Sequence, residues 1–440
     1  MANKTYDVAI IGCGSAGIAA GIELLSQSNL NFIILEARNR VGGRAYTDQH
    51  SLNFPFDLGA EWIHEYDSNN SLYSFHEQFQ TDLNDDCYIQ LFDPTRILCY
   101  DSDGSIISQE VSSLAQITTN RLFTQFKSND TNKDASVYDA IQPEYNRLEE
   151  GQHKRLVKAT IVAVEEIFAA DLYQLSAKQY LNNPNWSIEV ESKNNLVVKH
   201  GLGYFLERIT NHFQLPVLFN TVVTEIDTLS HADIVQISTS QNQKISAKYV
   251  IITVPLGCLK QDTIIFQPRL PQWKLDAIDQ LGFGHTDKII MQFDKTFWNE
   301  EATILYLVDA SFPFALCNPA KCILSFMIGG RRAQKMEDEK NEITIAQIMK
   351  HLKQTFTQQE FKLEHYIISR WTQDEFARGS YSYFTMNSSV ETMELLAKEC
   401  SENRLFWAGE HTSDGASVHT AFATGTREAK KILNYHSIKT

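Results

Sequence analysis

The stretch that decides the fold is DVAIIGCGSAGIAAGIELL, residues 7–25, and an apolar run, FIILE, follows it and ends on Glu36. The spacing is typical of a strand, a glycine turn, a helix and a second strand. Gly12 permits the tight turn out of the first strand, Gly14 lets the backbone approach a pyrophosphate, and Gly17 lets the helix pack on the strand. The helix N-terminus faces the phosphates, and Glu36 stands where an acid accepts a ribose hydroxyl. The pattern predicts a dinucleotide site; the alternative is an ordinary buried strand-to-helix turn.

A second glycine pair follows in LEARNRVGGRAYT, residues 35–47, where Gly42 and Gly43 precede Arg44. Adjacent glycines bring the backbone close to a ligand again, and an arginine placed there can lie on pyrophosphate or ribityl oxygens. With these residues the chain resembles the flavin-containing amine oxidases, a family that includes monoamine oxidases, polyamine oxidases, histone lysine demethylases and L-amino acid oxidases. The resemblance implies FAD as the cofactor.

The resemblance returns, in order, along nearly the whole chain. Six further segments match the family: DLGAEWIH from Asp57, NTVVTEID from Asn220, YVIITVPLGCLK from Tyr249, LGFGHTDKIIMQFDKTFW from Leu281, RWTQDEFARGSYSY from Arg370, and LFWAGEHTSDGASVHTAFATGTREA from Leu405. The resemblance implies that Gly59, Ala60 and Trp62 lie beneath the flavin and that Val223 contacts adenine. It also implies an α/β fold of amine oxidase architecture, in which a Rossmann-type FAD-binding domain accompanies an α+β substrate domain.

Both domains are expected to be discontinuous. We assign to the FAD-binding domain residues 1–75, 195–282 and 400–440, and to the substrate-binding domain residues 76–194 and 283–399. The second set alternates strand patterns with helix patterns, and by family resemblance it builds a sheet flanked by helices. A polar stretch predicts a linker before a helix that begins near Val137.

Composition limits the partners that the chain is expected to have. Of 440 residues, 43% are hydrophobic, and no apolar run reaches the ~18 residues that a membrane span needs. The first strand starts close to Met1, which leaves no room for a targeting peptide, so we expect neither a membrane partner nor export. The net charge of −15 disfavours nucleic acid and favours cationic substrates, although solubility is the commoner cause of such a charge.

The seven cysteines are scattered and form no CxxC pair. This pattern predicts reduced thiols in a cytoplasmic protein and no metal site. Even the nearest pair, Cys317 and Cys322, has the context of a loop that enters a strand. Nothing in the sequence favours a particular oligomeric state.

The C-terminal segment carries residues that the family places against the flavin. Leu405–Gly409 has the pattern of a short strand, Glu410 ends it, and a helix is predicted from Thr420. The resemblance implies that Glu410 bonds the ribityl or phosphate region, and that the backbone of Ser417 and Val418 reaches the O2 edge of the flavin. A helix N-terminus there stabilises negative charge on the reduced ring.

Lys288 begins the alternating strand KIIMQF after a glycine-rich turn. By pattern alone such a lysine is a solvated strand residue. Its place in the GFGHTDKI match implies the lysine that the family uses to hold a water near flavin N5 and to assist reoxidation by O2, where a cation is favourable. The hypothesis therefore makes Lys288 catalytic.

Aromatic residues line the amine-binding face of this family. Tyr381 matches one wall of that cage, with core packing as its alternative role, while Ser417 occupies the position of a second tyrosine in monoamine oxidases. A half-open cage favours a longer, bulkier amine. Ser380 stands where monoamine oxidases carry the cysteine that bonds flavin, and because serine cannot form that thioether, FAD is expected to be noncovalent.

His64 matches a histidine that many polyamine oxidases have near the substrate nitrogen. An imidazole there can hydrogen-bond the amine and shift its protonation, which matters because hydride leaves readily only from the free base; a structural histidine is the alternative. Glu65 replaces the glycine common after that histidine, which leaves the loop geometry open. Glu61 and Glu165 are candidate anchors for a distal ammonium, with surface placement an equal alternative.

These features favour an FAD-dependent oxidase of a polyamine or related amine, with O2 as acceptor and H2O2 as product. An L-amino acid oxidase would need an arginine for the carboxylate near the GA segment, where this chain has Glu61 and Trp62. An aromatic monoamine oxidase is a further alternative, and a noncatalytic FAD-binding scaffold would predict loss of Lys288 or Tyr381. The chain also lacks space for the helical insertions of histone demethylases, so a nucleosome-directed role is not expected.

Overall fold

The computed structural model describes residues 5–75, 78–79, 88–89, 95–124, 134–182, 195–230, 233–402 and 404–439. The helices are α1 Ser15–Gln27, α2 Gln109–Thr124, α3 Val137–Asn146, α4 Gln152–Ile167, α5 Ala177–Asn182, α6 Leu202–His212, α7 Leu256–Lys260, α8 Gln272–Gln280, α9 Gly330–Glu337, α10 Asn341–Thr355, α11 Val390–Ala397 and α12 Val418–Lys439. The strands are β1 Thr5–Ile11, β2 Phe32–Leu35, β3 Thr47–Asp48, β4 Phe56–Asp57, β5 Trp62–Ile63, β6 Tyr88–Ile89, β7 Ile97–Tyr100, β8 Asn195–Val197, β9 Val217–Leu218, β10 Val223–Asp227, β11 Val235–Thr239, β12 Lys244–Ile252, β13 Ile265–Gln267, β14 Gly282–Phe283, β15 Thr286–Phe293, β16 Ile304–Leu307, β17 Phe314–Asn318, β18 Ile323–Gly329, β19 Leu363–Ile368, β20 Ser382–Tyr383 and β21 Leu405–Trp407.

The larger sheet has eight strands in the order β13-β10-β11-β12-β1-β2-β9, with β21 paired to the end of β12. Strand β1 is parallel to β2 and β12, and β21 is parallel to β12. Alternate residues of β1 enter two different buried clusters, which explains its unbroken apolar sequence. Because the carboxyl ends of these parallel strands meet at one edge, the residues that follow them converge there.

Helices α1 and α12 cover one face of this sheet. A Cβ atom on Gly17 would lie 2.0 Å from the carbonyl oxygen of Gly12, and one on Gly425 would lie 1.9 Å from the carbonyl oxygen of Ala16. The first glycine therefore lets α1 approach β1, and the second lets α12 lie directly on α1.

The smaller sheet has six strands in the order β19-β15-β18-β17-β16-β7. All its pairs are antiparallel except that of β16 with β7. Helix α4 packs on one face, and helix α10 contributes Ile345, Ile348 and Leu352 to the buried cluster that includes Ile289. The predicted α/β architecture, with a mixed sheet beside a Rossmann-type one, is confirmed.

Packing crosses the predicted domain bounds at more than one place. Leu52 and its neighbours Phe54, Phe56 and Leu58, which we assign to the FAD-binding domain, cluster with Ile290 and Ile323 of the smaller sheet. Helix α11 precedes residue 400 but packs on the larger sheet, because Met393 and Leu396 are buried in the same cluster as Trp407. A boundary before Val390 describes this packing better than the predicted one at 399/400. The helix expected near Val137 begins at that residue, where the Ser136 side chain accepts a hydrogen bond from the Asp139 amide.

Candidate active site

One cavity of about 580 Å³ opens between the two sheets and touches the residues that follow β1, β2, β12 and β21. Ser380 and Tyr381 also line it, and they directly precede β20, which pairs with β14 through Phe283 and Ser382. The smaller sheet supplies Thr286 and Lys288 from β15 and three apolar strand residues, Phe314, Leu316 and Met327. Of these, only Lys288 is a candidate from sequence. The three apolar residues carry no local sequence signal that distinguishes a cavity wall from a buried core.

The glycine turn after β1 forms one end of this cavity. Gly12 has φ +102°, which a residue with a side chain rarely adopts, so the expected tight turn is present. A Cβ atom on Gly14 would meet no neighbour closer than 4.0 Å, whereas Gly17 is packed against β1. The space at Gly14 is therefore available to a ligand. Helix α1 begins here with no side-chain cap and no acidic residue in its first turn, which suits an anion.

Glu36 lies at the end of β2 and is 5% exposed. Its carboxylate accepts hydrogen bonds from the amides of Cys13 at 2.7 Å and Arg38 at 2.8 Å. Burial raises the pKa of this carboxyl above its ordinary value, although both amides act against that change. These bonds fix the acid beside the glycine turn, where it lines the cavity together with Val223.

Arg44 and the buried Glu410 form a partly buried ion pair at the cavity wall. Nη1 of Arg44 donates to Oε1 of Glu410 at 2.8 Å and to the Ser380 carbonyl at 2.5 Å. The other Glu410 oxygen accepts from the amide of Ser382 at 3.1 Å and from its hydroxyl at 2.6 Å. Burial acts to raise the pKa of Glu410, but Arg44 and these donors hold it below its ordinary value. Glu410 therefore holds Arg44 in place. This role comes in addition to the direct cofactor contact that the family resemblance implies for Glu410.

Lys288 is a buried member of an interior strand, since β15 pairs with both β18 and β19. Its Nζ donates to Oε2 of Glu61 at 2.7 Å and to the Asp57 carbonyl at 3.0 Å, and it lies 5.7 Å from the centre of the Trp62 ring. The side chain is only 7% exposed. The pattern-based alternative of a solvated lysine is therefore wrong.

The two candidate anchors for a distal ammonium have different surroundings. Glu61 lines the cavity, keeps 30% of its side chain exposed, and is bound to Lys288 through one oxygen. Glu165 does not line the cavity, and its Oε1 accepts a hydrogen bond from the Leu172 amide at 3.1 Å. The structure therefore removes Glu165 from the candidate site, since its carboxylate serves the end of α4.

His64 lines the cavity, and its Nδ1 lies 2.9 Å from Oδ1 of Asn195, a buried residue of the neighbouring strand β8. In the tautomer that donates from Nδ1 to Asn195, Nε2 is an acceptor. Burial lowers the pKa of His64, against the opposing effect of Asn195, so the ring is neutral near pH 7. Glu65 has φ +49°, the left-handed conformation that a glycine adopts easily, so the loop keeps its turn despite the substitution.

A second histidine, not singled out from sequence, also lines the cavity. His419 lies in the first turn of α12, and its Nδ1 is 3.0 Å from the hydroxyl of Ser417. Burial lowers the pKa of His419 to about 4, and His64 adds to the effect. Its sequence signal is its place in the SVHTAF match, in which the family resemblance assigns roles to the neighbouring Ser417 and Val418. All three residues border the cavity at the N-terminus of α12.

Tyr381 and Ser380 are both fixed by backbone contacts. The Tyr381 hydroxyl donates to the carbonyl of Ile167 at 2.5 Å, which holds the ring as a cavity wall. The Ser380 hydroxyl donates to the Thr286 carbonyl at 2.8 Å and accepts from the Thr286 amide at 2.7 Å. Gly59, Ala60 and Trp62 also line the cavity, as the family pattern places them.

Within the described ranges of the chain, no helix has the length and apolar character needed to cross a membrane. No cluster of three or more histidine, cysteine, aspartate or glutamate side chains there is arranged to hold a metal ion.

Sequence comparison relates nearly the whole chain to known proteins. A family model described as flavin containing amine oxidoreductase matches residues 15–433. Polyamine oxidase 2 of Arabidopsis thaliana is 29% identical over 450 residues, which cover 98% of this chain and 88% of that protein. Polyamine oxidase 4 of Oryza sativa subsp. japonica is 31% identical over 455 residues, which cover 97% of this chain and 89% of that protein. Lysine-specific histone demethylase 1 homolog 2 of Arabidopsis thaliana is 25% identical over 97% of this chain but 58% of that protein.

Proposed function

The chain belongs to the flavin-containing amine oxidoreductase family, and from that premise we propose that it oxidises a polyamine, with noncovalent FAD as cofactor and O2 as acceptor. The observation that carries the proposal is the single cavity that joins the glycine turn at Gly14 to Lys288, Glu61 and His64. The near full-length similarity to plant proteins named polyamine oxidases supports the substrate class.

The residues present fit a flavin dinucleotide. The open space at Gly14 and the uncapped start of α1 suit a diphosphate, and Glu36 suits a ribose hydroxyl. A bound flavin supplies the oxidant: it accepts hydride from the carbon next to the amine nitrogen, and O2 restores it with formation of H2O2. The imine so formed is hydrolysed to an aldehyde and an amine. Because Ser380 has no thiol and its hydroxyl bonds Thr286, we propose that the cofactor is held without a covalent link.

His64 handles the proton of the substrate amine in this proposal. A neutral imidazole whose Nδ1–H is committed to Asn195 presents Nε2 as an acceptor for an amine N–H. The amine then binds as the free base, from which hydride can leave. The Tyr381 ring orients it from the side, since the hydroxyl of Tyr381 is tied to Ile167.

Charge at the site favours a substrate with more than one nitrogen. The Glu61 carboxylate borders the cavity, and only its Oε2 is used by Lys288. A polyamine can keep a distal ammonium near this carboxylate while its reacting nitrogen is neutral, which is worth on the order of 1 kcal/mol for a partly exposed pair. Benzylic monoamines carry no second charge to use.

The cationic Lys288 serves the oxidative half of the cycle. Glu61 and the Asp57 carbonyl hold its ammonium group in a buried position at the cavity. A fixed cation there stabilises the negative charge that develops as O2 is reduced. We add the proposal that the chain works in a reducing compartment such as the cytoplasm, because its six described cysteines are free thiols.

A peroxide-coupled assay of amines tests the proposal. Spermidine or spermine should give a higher kcat/KM than benzylamine, tyramine or neutral L-amino acids. Glu61→Gln should lower that polyamine-to-benzylamine ratio, and the ratio is the informative quantity because a general effect through Lys288 would lower both rates. Preferred turnover of aromatic monoamines or amino acids would contradict the substrate assignment.

A further inference from the structure

The segment Asp374–Gly379 crosses the dinucleotide end of the cavity, and Arg378 lies within it. Glu375, Phe376 and Arg378 line the cavity. Asp374 binds Nη2 of Arg38 at 2.5 Å, and the Arg38 guanidinium lies 5.2 Å from the centre of the Phe376 ring. Since Arg38 closely follows Glu36, these contacts tie the segment to the strand end that faces the ribose position.

The backbone at Arg378 is held in an unusual conformation. Its φ is +58°, in the left-handed region that non-glycine residues rarely occupy. The surrounding backbone fixes it: the Arg378 amide donates to the Asp374 carbonyl at 2.9 Å, and the Gly379 amide donates to the Trp371 carbonyl at 2.9 Å. A Cβ atom on Gly257 would lie 2.7 Å from the Arg378 carbonyl oxygen, so the segment is pressed onto helix α7. The fold keeps Arg378 in place despite its conformation.

The guanidinium of Arg378 has no hydrogen bond or ion pair with any residue that the structure describes. Its Nε is buried and unpartnered. The two other arginines that line the cavity are already neutralised, Arg38 by Asp374 and Arg44 by Glu410. An unpaired, partly buried guanidinium is costly unless an anion binds it.

The position of Arg378 identifies the anion. The Arg378 carbonyl approaches Gly257 of helix α7, which follows β12, and the neighbouring Cys258 lines the cavity. That places Arg378 at the strand ends of the larger sheet, where the uncapped N-terminus of α1 also borders the cavity. A diphosphate carries two negative charges and needs donors besides a helix N-terminus.

We propose that Arg378 is a diphosphate ligand of the cofactor, held over it by the Arg38–Asp374 ion pair; this inference rests on FAD being the dinucleotide. The family pattern for this segment assigned roles only to Ser380 and Tyr381. The unpartnered guanidinium at the dinucleotide end adds Arg378 to the cofactor site.

Binding of ADP and of adenosine to the full-length chain freed of cofactor tests this proposal by calorimetry. Arg378→Met keeps the apolar stem, and it should weaken ADP binding by roughly 10- to 100-fold while adenosine binding stays unchanged. Arg378→Lys keeps the charge but not the fork of donors, so its ADP affinity should fall between those of the wild type and Arg378→Met. Arg331→Met is the matched control, because Arg331 pairs with Asp171 and keeps 69% of its side chain exposed.

The outcomes separate the inference from the proposed cofactor. Equal ADP affinity of the wild type and Arg378→Met would overturn the role of Arg378 while leaving FAD in place. Absence of ADP binding by the wild type would overturn both. If Arg378→Met folds poorly, the ratio of ADP affinity to adenosine affinity in Arg378→Lys is the deciding measurement. A ratio equal to that of the wild type, together with an unchanged salt dependence of ADP binding, would overturn the proposal.

Discussion

Replacing Lys288 with methionine probes the charged network at the centre of the site. The substitution removes the ammonium that lies 2.7 Å from Oε2 of Glu61 and 3.0 Å from the Asp57 carbonyl, and it keeps most of the apolar stem. Coulomb's law at this distance with an effective dielectric of about 20 gives roughly 6 kcal/mol of direct attraction. Desolvation of Lys288 and the 30% exposure of the Glu61 side chain reduce that figure. We expect a net coupling of about 1–3 kcal/mol.

A double-mutant cycle with Lys288→Met, Glu61→Gln and the combined variant measures this coupling by urea unfolding at pH 7. The functional readout is the rate at which O2 reoxidises the reduced enzyme, measured by rapid mixing. Lys288→Met should slow this reoxidation about 100-fold. Lys321→Met is the control, because Lys321 also senses Glu61 and Asp57 but does not line the cavity. A coupling below about 0.3 kcal/mol with an unaltered reoxidation rate would refute the reasoning.

Four further outcomes are expected. Acid or heat should release the flavin into the supernatant because Ser380 offers no thiol, and flavin that stays with the precipitate would contradict this. Glu36→Ala should reduce FAD retention, measured as bound flavin per chain, and full occupancy would show that the ribose assignment is misplaced. Lys274→Met should destabilise the fold by about 2–4 kcal/mol in urea, whereas exposed Lys398→Met should not, because the fully buried Lys274 ammonium donates to the carbonyls that end α11. Because burial lowers the pKa of His64, the ring is already neutral where the substrate amine loses its proton, so kcat/KM should rise with pH through formation of the free base. His64→Asn should lower the rate without moving the pH at which that rise occurs. A shifted profile would make His64 the titrating group.

The dinucleotide end of the site could be predicted from sequence because its signals are local. Gly12, Gly14 and Gly17 lie within one strand–turn–helix unit, and the backbone requirement of each follows from its spacing. The start of α3 at Val137 was predictable for the same reason, since a polar stretch and a capping serine precede it.

The network around the candidate catalytic residues could not be predicted in this way. Lys288 and Glu61 are 227 residues apart, and His64 and Asn195 are 131 residues apart, so only the folded sheets bring them together. The pattern of its own strand predicts a solvated Lys288 side chain. The side chain is buried instead, because its partners Asp57 and Glu61 come from a distant segment. Glu165 was a candidate by residue type alone, and its side chain serves the local backbone at the end of α4 instead.

The ion pair of Arg44 with Glu410 has a consequence for biosynthesis. Its partners are 366 residues apart, and the nearby bond from the Ser15 hydroxyl to the Val418 carbonyl spans 403 residues. The glycine turn is therefore synthesised long before the wall that faces it. A nascent chain therefore cannot form the complete pocket until Glu410 and Val418 have been synthesised. Shortening the chain before Glu410 removes that wall and the helix that covers α1 together, so we expect it to disrupt the pocket and to expose α1 at the same time.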